Sequence, residues 1–226
     1  MNRALRILST ALITAGLVIF LDVGLTLAWR EPVSSIYGSI QQSRARDQLA
    51  SLEKDFSAQI NLPKIVKIKN PKRRIAVLAG RFAKQATTGE AIGKIIIPRF
   101  GLDAVIIQGT DTTSLEKGPG HYPDTPFPGQ PGTVGIAGHR TTYLAPFRHI
   151  DSLVPGDPIT IDMPYGHFVY TVQTHRIVDP SQTNIVDPVG YPRLVLTACN
   201  PLYSAAQRYA IFAKLTAETP ATSPSG

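Results

Sequence analysis

Hydrophobic and polar positions divide the chain into an apolar start, a polar middle and a longer section of short β-branched runs. Residues 7–29 are mostly apolar and contain one charged residue, Asp22. A helix rises about 1.5 Å per residue, so a segment of this length reaches the roughly 30 Å of a bilayer core. Residues 1–29 are therefore predicted to form a short cytoplasmic tip and a transmembrane signal anchor.

The orientation of this segment is predicted from the charges beside it. Arg3 and Arg6 precede the apolar run and favour a cytoplasmic N-terminus, although Arg30 on the far side weakens the asymmetry. The alternative is a cleavable signal peptide, whose apolar core usually has about 7 to 15 residues. Because residues 26–28 make a poor cleavage site, an uncleaved single-pass anchor with the rest of the chain outside the cell is favoured.

The middle of the chain, residues 30–88, has few apolar anchors and carries most of the basic charge. Residues 1–84 hold 14 basic and 5 acidic side chains, a net +9, whereas residues 85–226 hold 9 basic and 11 acidic ones, a net −2. Eight of the basic residues lie in 64–84, which contains no acidic residue. We interpret 30–88 as a helical, basic extracellular stalk that acts as a solvated spacer. The alternative is that its lysines bind an anionic surface such as lipid headgroups or wall polymer, and nucleic acid is not an expected partner.

Short runs rich in β-branched residues, separated by Gly and Pro, fill residues 91–215. Seven or eight such runs, with only brief helical candidates such as 112–117, predict an all-β barrel or sandwich over residues 89–216. The composition, 43% hydrophobic and 17% charged, excludes a fully disordered chain. Residues 217–226 are rich in Pro, Ser and Thr and are predicted to be a disordered tail.

The single cysteine, Cys199, is the first candidate for chemistry. It cannot form an internal disulfide, which leaves an inert buried thiol, an intermolecular bridge or a reactive nucleophile. Cys199 ends the apolar strand 194–199, before Asn200-Pro201, and a strand end is a place from which a side chain reaches a cleft.

Arg208 opens the next predicted strand, 207–213. If the two strands form a hairpin, Cys199 and Arg208 lie at the same end of neighbouring strands, about 4.8 Å apart. A guanidinium beside a thiol favours the thiolate, and its fork of donors suits a developing oxyanion. The alternative for Arg208 is an ordinary exposed arginine at the edge of a sheet.

A general acid or base is also required, and the chain has five histidines. His139 ends the apolar strand 133–138, a placement like that of Cys199, and His121 lies in a glycine-rich loop that could line a site. The other three, His149, His167 and His175, are expected on the surface or half-buried. Spacing alone leaves the choice of histidine open.

Four motifs occur in order along this domain: Gly118-Pro119-Gly120-His121-Tyr122-Pro123, Ala137-Gly138-His139-Arg140, Leu196-Thr197-Ala198-Cys199-Asn200-Pro201 and Gln207-Arg208-Tyr209. In this order and spacing they make the region 91–215 similar to sortases, and most similar to class E sortases. The resemblance implies a membrane-anchored cysteine transpeptidase with a closed eight-stranded β-barrel and short helices. It also implies a catalytic triad of His139, Cys199 and Arg208.

The resemblance further implies a groove for a substrate peptide. Tyr122 matches a tyrosine that class E sortases place beside this groove, where it is linked to Leu-Ala-x-Thr-Gly rather than Leu-Pro-x-Thr-Gly; its alternative is an aromatic packed on the barrel rim. The family signature Thr-Leu-x-Thr-Cys reads here Val195-Leu196-Thr197-Ala198-Cys199. Position 198 is expected to face the bound peptide. Because Ala198 lacks the hydroxyl of the signature threonine, the peptide preference of this chain is the property that the resemblance does not predict. The predicted substrate-binding residues are Tyr122, His121, Thr197 and Ala198.

The function expected from the resemblance is cleavage of a sorting signal between Thr and Gly, followed by transfer of the acyl group to an amine. The expected partners are proteins with a C-terminal sorting signal, a cell-wall precursor or lysine amine as acceptor, and membrane lipid. The alternatives are a cysteine hydrolase, an L,D-transpeptidase-like enzyme, whose usual Ser-x-Gly-Cys type motif is absent, or an inactive peptide-binding module.

No cofactor and no metal are expected. Some sortases bind calcium through acidic residues near the barrel rim, but the loop 179–190 offers only Asp179 and Asp187. Calcium normally takes six to eight oxygen ligands, which two carboxylates do not supply.

Overall fold

The computed structural model describes residues 3–29 and 32–221, and it contains eight strands that close into one barrel. Five α-helices accompany the strands: α1 Arg3–Trp29, α2 Pro32–Ile60, α3 Pro63–Val66, α4 Pro71–Ala83 and α5 Thr112–Lys117. The strands are β1 Ala91–Ile97, β2 Leu102–Gln108, β3 Gly120–His121, β4 Thr133–Ala137, β5 Pro158–Met163, β6 Gly166–Val178, β7 Arg193–Asn200 and β8 Gln207–Pro220. The prediction of an all-β, closed, eight-stranded barrel is confirmed.

The barrel runs in the order β1-β2-β3-β4-β7-β8-β6-β5 and closes between β5 and β1. Two neighbouring pairs are parallel, β2 with β3 and β4 with β7, and the other pairs are antiparallel. Closure leaves no free sheet edge, and alternate side chains fill the interior. The core inside the barrel includes Ile95, Ile136, Phe168, Leu196 and Ile211.

The first helix, α1, is exposed along its described side chains. Its span Arg3–Gly24 is long and apolar enough to cross a membrane by length and composition, a test that a signal sequence also passes. An apolar helix with no protein partner needs another apolar environment, which agrees with an anchor or a signal.

Helices α2 and α4 pack against the barrel, and this corrects the interpretation of residues 30–88 as a solvated spacer. Phe56 of α2 and Phe82 of α4 are each 1% exposed and contact one another, with ring centroids 5.6 Å apart. Phe82 also contacts Phe127 and Tyr165 of the barrel at 5.3 and 5.4 Å. Helices α2 and α4 therefore belong to the folded domain. Binding of the lysines in this segment to an anionic surface stays a prediction.

Amide side chains fix α2 to the outside of β1 and β2. Gln42 is buried, accepts a hydrogen bond from the Val105 amide at 2.8 Å and donates to the Val105 carbonyl at 3.1 Å. Gln48 accepts from the Ala91 amide at 3.0 Å. Helix α2 covers these backbone amide and carbonyl groups of the strands. Without the glutamine side chains they would have no hydrogen-bond partner.

The sequence of α4 explains why it forms a helix and which face it buries. Asn70 caps the first turn by accepting from the Arg73 amide at 3.0 Å, and Pro71 takes the first helical position, where no amide donor is needed. The buried residues recur at helical spacing: Ile75, Leu78, Ala79 and Phe82. The basic residues of the same helix occupy its other faces.

Replacing Phe82 with alanine is expected to lower the free energy of unfolding by about 3 to 5 kcal/mol, because a fully buried aromatic ring leaves a cavity. Val77, 36% exposed on the same helix, is the control, and Val77→Ala should cost about 0.5 kcal/mol or less. Thermal and denaturant unfolding of the full chain in detergent measures both. Equal stability of the Phe82 variant and the wild type would mean that α4 does not support the barrel.

The last strand is longer than expected from the sequence. β8 continues to Pro220, pairing with β6 as far as Gly166, so four residues of the predicted tail belong to the barrel. Ala221 follows the strand and donates a hydrogen bond to the Tyr165 carbonyl at 3.0 Å, and the rest of the predicted tail, 222–226, lies outside the described residues.

Candidate functional site

Three neighbouring strands bring His139, Cys199 and Arg208 to one end of the barrel. β4 and β7 are parallel, with Ala137 opposite Thr197. His139 lies two residues after Ala137 and Cys199 lies two residues after Thr197, so both lie at the same end of the barrel. In the antiparallel pair of β7 and β8, Cys199 lies directly opposite Arg208. The hairpin predicted from the sequence is therefore present, and its register pairs the two residues.

The Cys199 thiol is free and half-buried. A buried arginine, Arg140, holds the backbone around it, donating to the Cys199 carbonyl at 3.4 Å and to Asn200 Oδ1 at 3.1 Å. The Arg140 side chain is 3% exposed and forms an ion pair with Asp151 at 2.9 Å. These contacts tie the residue after His139 to the end of β7, and so fix the two strand ends relative to each other.

His139 lies in a half-buried position in which its neutral form is favoured. Burial lowers the pKa of His139 below its usual value, and the negative charge of Glu116 opposes this shift. Its Nε2 atom is buried and has no hydrogen-bond partner among the described residues. A buried nitrogen without a partner is costly, and a bound substrate group would satisfy it.

The ring of Tyr143 packs on His139, with centroids 5.3 Å apart, and its hydroxyl donates to Glu116 Oε1 at 3.1 Å. Tyr143, Leu144 and Ala145 have φ angles of 49°, 66° and 44°, which lie in the left-handed region. Each such non-glycine residue costs of order 1 to 3 kcal/mol. This strained turn places the Tyr143 ring beside the histidine, and the Tyr143 hydroxyl bonds the Glu116 carboxylate of α5.

Arg208 is held by the turn that precedes it. Its Nη1 donates to the carbonyls of Ala205 at 2.9 Å and Gln207 at 3.0 Å. The pKa of Asp179, across the site, is lowered mainly by hydrogen bonds from Ser181 and further by the charge of Arg208. The guanidinium thus sits between the β7–β8 turn and the β6–β7 loop.

A cleft of about 460 Å³ opens beside these strand ends. The β3–β4 loop forms one wall, the β6–β7 loop forms the other, and Thr197 and Arg208 lie at the end nearest Cys199. Tyr122 lines the cleft, and its hydroxyl makes a 2.7 Å hydrogen bond with Thr197 Oγ1. Of the predicted substrate-binding residues, the structure places these two on the cleft.

The other two lie elsewhere. His121 is 1% exposed; its Nδ1 bonds Gln108 at 2.9 Å, its Nε2 contacts Pro126 and Thr125 at 3.2 Å, and its ring stacks on Phe127. Burial lowers its pKa to about 4. His121 is therefore a neutral core residue, and the expectation that it lines the groove is corrected.

Ala198 also lies away from the cleft, on the face of β7 that points into the barrel. It is 3% exposed and belongs to the barrel core with Leu196 and Tyr209. Because side chains alternate along a strand, a residue next to Cys199 points away from the face that carries the thiol. The expectation that position 198 faces the peptide is corrected, and an alanine there is a core residue.

Arg140 and Glu116 were not singled out as site residues from the sequence. Arg140 directly follows His139 at the end of an apolar strand, and this position is the sequence feature that could have marked it as a site residue. Glu116 offered none, because helix α5 approaches the histidine only in three dimensions. No group of three or more His, Cys, Asp or Glu residues suited to a metal ion occurs in the part of the chain that the structure describes.

The sortase domain family matches residues 95–216. Sortase D of Bacillus subtilis is 37% identical over 131 residues, which span 56% of this chain and 65% of that protein. Sortase SrtE1 of Streptomyces coelicolor is 32% identical over 148 residues, 58% of this chain and 42% of that protein.

A crystal structure of sortase E1 from Streptomyces coelicolor with a tripeptide in the active site superimposes with a TM-score of 0.56 at 29% identity. The superposition covers 60% of this chain and 93% of that crystal structure's chain. The chain spans less than two thirds of the length of the two curated relatives described above, so the match concerns the barrel domain.

Proposed function

This chain belongs to the sortase family, and we propose that it is a membrane-anchored cysteine transpeptidase acting on sorting signals of the Leu-Pro/Ala-x-Thr-Gly type. The observation that carries the proposal is the pairing of Cys199 with Arg208, an arginine that also lines a walled cleft, with His139 just beyond the end of the neighbouring strand β4. A thiol, a histidine and a fork of donors are what acyl transfer requires.

In the proposed first step, the Cys199 thiolate attacks the carbonyl carbon of the Thr residue. Arg208 stabilises the oxyanion of the tetrahedral intermediate, and the protonated His139 gives its proton to the Gly nitrogen as the Thr–Gly bond breaks. The products are a thioester on Cys199 and a free amine peptide. An incoming amine then attacks the thioester, His139 takes the amine proton, and the thiolate leaves.

The cleft suits the residues that precede the scissile bond. Four extended residues span about 13 Å, at roughly 3.3 Å per residue. Tyr122 lines the wall of this cleft, which supports a role for its ring in choosing between Pro and Ala at the second residue of the motif. Thr197 fixes the tyrosine through its hydroxyl.

The proposed topology places the N-terminus in the cytoplasm and the barrel outside the cell, because Arg3 and Arg6 precede the apolar helix. The proposed partners are proteins with a C-terminal sorting signal, an amine of a cell-wall precursor or lysine, and the lipid around α1.

Product analysis with and without an added amine tests the proposed function. The purified full chain should convert a peptide containing the motif into an amine-linked product, and the share of amide over free acid should rise with amine concentration. Only free acid at every amine concentration would indicate a hydrolase. Peptide binding with no product would indicate an inactive binding module.

The pH dependence should respond to Glu116. Because neutral His139 is favoured, the reactive form with protonated His139 and a Cys199 thiolate is a minor population. Replacing Glu116 with Gln removes the charge that raises the pKa of His139, so this population becomes smaller. We expect the acid-side bend of the kcat/KM profile to move to lower pH and the plateau to fall by roughly twofold to fivefold, in line with one partly exposed charge pair.

Tyr143→Phe is the matched control, because it removes the hydroxyl bonded to Glu116 and leaves the carboxylate in place. Its bend should stay closer to that of the wild type than the bend of Glu116→Gln. An unchanged profile in Glu116→Gln would contradict an acid role for His139 in this setting.

A further inference from the structure

A second cavity adjoins the far end of the proposed peptide cleft. This cavity has a volume of about 550 Å³ and lies between α4, the β3–β4 loop, the β6–β7 loop and the end of β8. Pro131, Gly132 and Pro188 line both spaces. We call the second space the α4 cavity.

The α4 cavity is at the end of the cleft opposite the thiol. Thr197 and Arg208 mark the Cys199 end, and the three shared residues mark the other. In the proposed reaction Cys199 attacks the fourth residue of the motif, and the earlier residues run away from it along the cleft. A peptide bound in this direction would have the residues that precede the motif at the shared lining residues, next to the α4 cavity.

The walls of the α4 cavity are held in place by close packing. Gly129 has a φ of 87°, and a Cβ there would collide with the side chain of Ile75 in α4. The adjoining carbonyl of Pro128 accepts a hydrogen bond from Tyr165 at 2.8 Å. The loop and the helix thus form one packed unit, so a peptide meets a preformed surface.

The charge of the α4 cavity is positive. Lys72 and Arg73 line it from the first turn of α4, and the one acidic lining residue is Glu218. Glu218 is 15% exposed and lies 3.9 Å from Lys72, whose side chain is 81% exposed. One cation is therefore left in excess, in a basic segment, 64–84, that contains no acidic residue.

We propose that the α4 cavity is an accessory subsite for the substrate segment that immediately precedes the sorting motif, and that it selects acidic residues there. The inference rests on the proposed function for the direction of the peptide. The subsite binds substrate and transition state alike, so its effect falls on KM rather than kcat.

Peptides with one constant motif, preceded by five acidic, neutral or basic residues, test the proposal on the full chain in detergent. We expect kcat/KM to be about twofold to fivefold higher for the acidic than for the neutral peptide at low salt, since one cation is in excess and an exposed ion pair contributes about 0.2 to 1 kcal/mol. The preference should shrink at high salt.

Arg73→Glu should abolish or reverse the acidic preference. Lys84→Glu is the matched control, because Lys84 is exposed at the other end of α4 and does not line the cavity. It makes the same change of charge and should keep the preference. Equal kcat/KM for all three peptides, or equal loss in both variants, would overturn the subsite and leave the transpeptidase proposal standing.

Binding measured without turnover separates the two proposals. Fluorescence anisotropy of labelled peptides on the Cys199→Ala chain should show the same acidic preference in Kd. If this preference appears but no wild-type product forms, the proposed reaction is wrong and the subsite holds. If Arg73→Glu loses binding to phosphatidylserine vesicles while Kd for all peptides is unchanged, the basic surface serves lipid and the subsite is wrong.

Discussion

Replacing Cys199 with alanine is expected to reduce peptide cleavage and amine transfer to the uncatalysed background. In the proposed mechanism the Cys199 sulfur forms the covalent intermediate, and the chain has no second cysteine to replace it. The loss should exceed about 1,000-fold in kcat, with peptide binding retained, because the cleft walls and Arg208 remain in place. Product formation followed by chromatography measures the loss, and anisotropy measures the binding.

Cys199→Ser is the companion variant. It keeps a polar group of similar size at the end of β7 but supplies a much weaker nucleophile, so it should also be inactive or nearly so. Matching thermal unfolding midpoints would show that neither variant disturbs the β7–β8 register. Substantial transfer by the alanine variant would rule out the covalent mechanism.

Replacing Arg208 with lysine is expected to lower kcat by about 100-fold to 1,000-fold, which corresponds to about 2.7 to 4 kcal/mol of transition-state stabilisation. Lysine keeps the positive charge but presents a point charge in place of a planar fork, and the fork is what spans the loop carbonyls and a developing oxyanion. KM should change much less than kcat. Steady-state kinetics with a motif peptide separates the two.

Arg176→Lys is the control for this prediction. Arg176 is an exposed arginine on β6, stacked over Phe212 at 4.5 Å and absent from the cleft lining. The same chemical change there should leave kcat near the wild-type value. If Arg208→Lys behaved like Arg176→Lys, charge alone would be sufficient and the oxyanion role would be wrong.

The strands and the hairpin were predictable because their signals are local. Alternation, β-branched runs and Pro or Gly breaks mark each strand, and the turn between β7 and β8 sets Cys199 opposite Arg208. The same alternation would have placed Ala198 in the core. Ala198 was predicted to contact the peptide because it lacks the hydroxyl of the family signature. The alternation of side chains along the strand, however, determines which face Ala198 occupies.

The packing of α4 was missed because its charge obscured its periodicity. Basic residues dominate the segment, yet Ile75, Leu78, Ala79 and Phe82 follow a helical spacing that predicts one buried face. Charged residues on the remaining faces are compatible with such packing. The spacing of the apolar positions was the better guide.

Other features depend on contacts between distant parts of the chain. His121 is buried because the two-residue strand β3 pairs with both β2 and β4, which no local pattern shows. The approach of Glu116 to His139 likewise depends on where the barrel places α5. The positions of His121 and Glu116 follow from the topology of the barrel. The sequence motifs therefore predict the placement of the three proposed catalytic residues better than that of the residues around them.

The covalent intermediate is the most direct test of the proposed reaction. The wild-type chain, incubated briefly with a motif peptide and acid-quenched, should gain the mass of the peptide through its Thr residue. Peptide mapping by tandem mass spectrometry should place this mass on Cys199, and hydroxylamine or an added amine should remove it. Efficient turnover with no adduct on Cys199, or an adduct at another residue, would contradict the proposed mechanism.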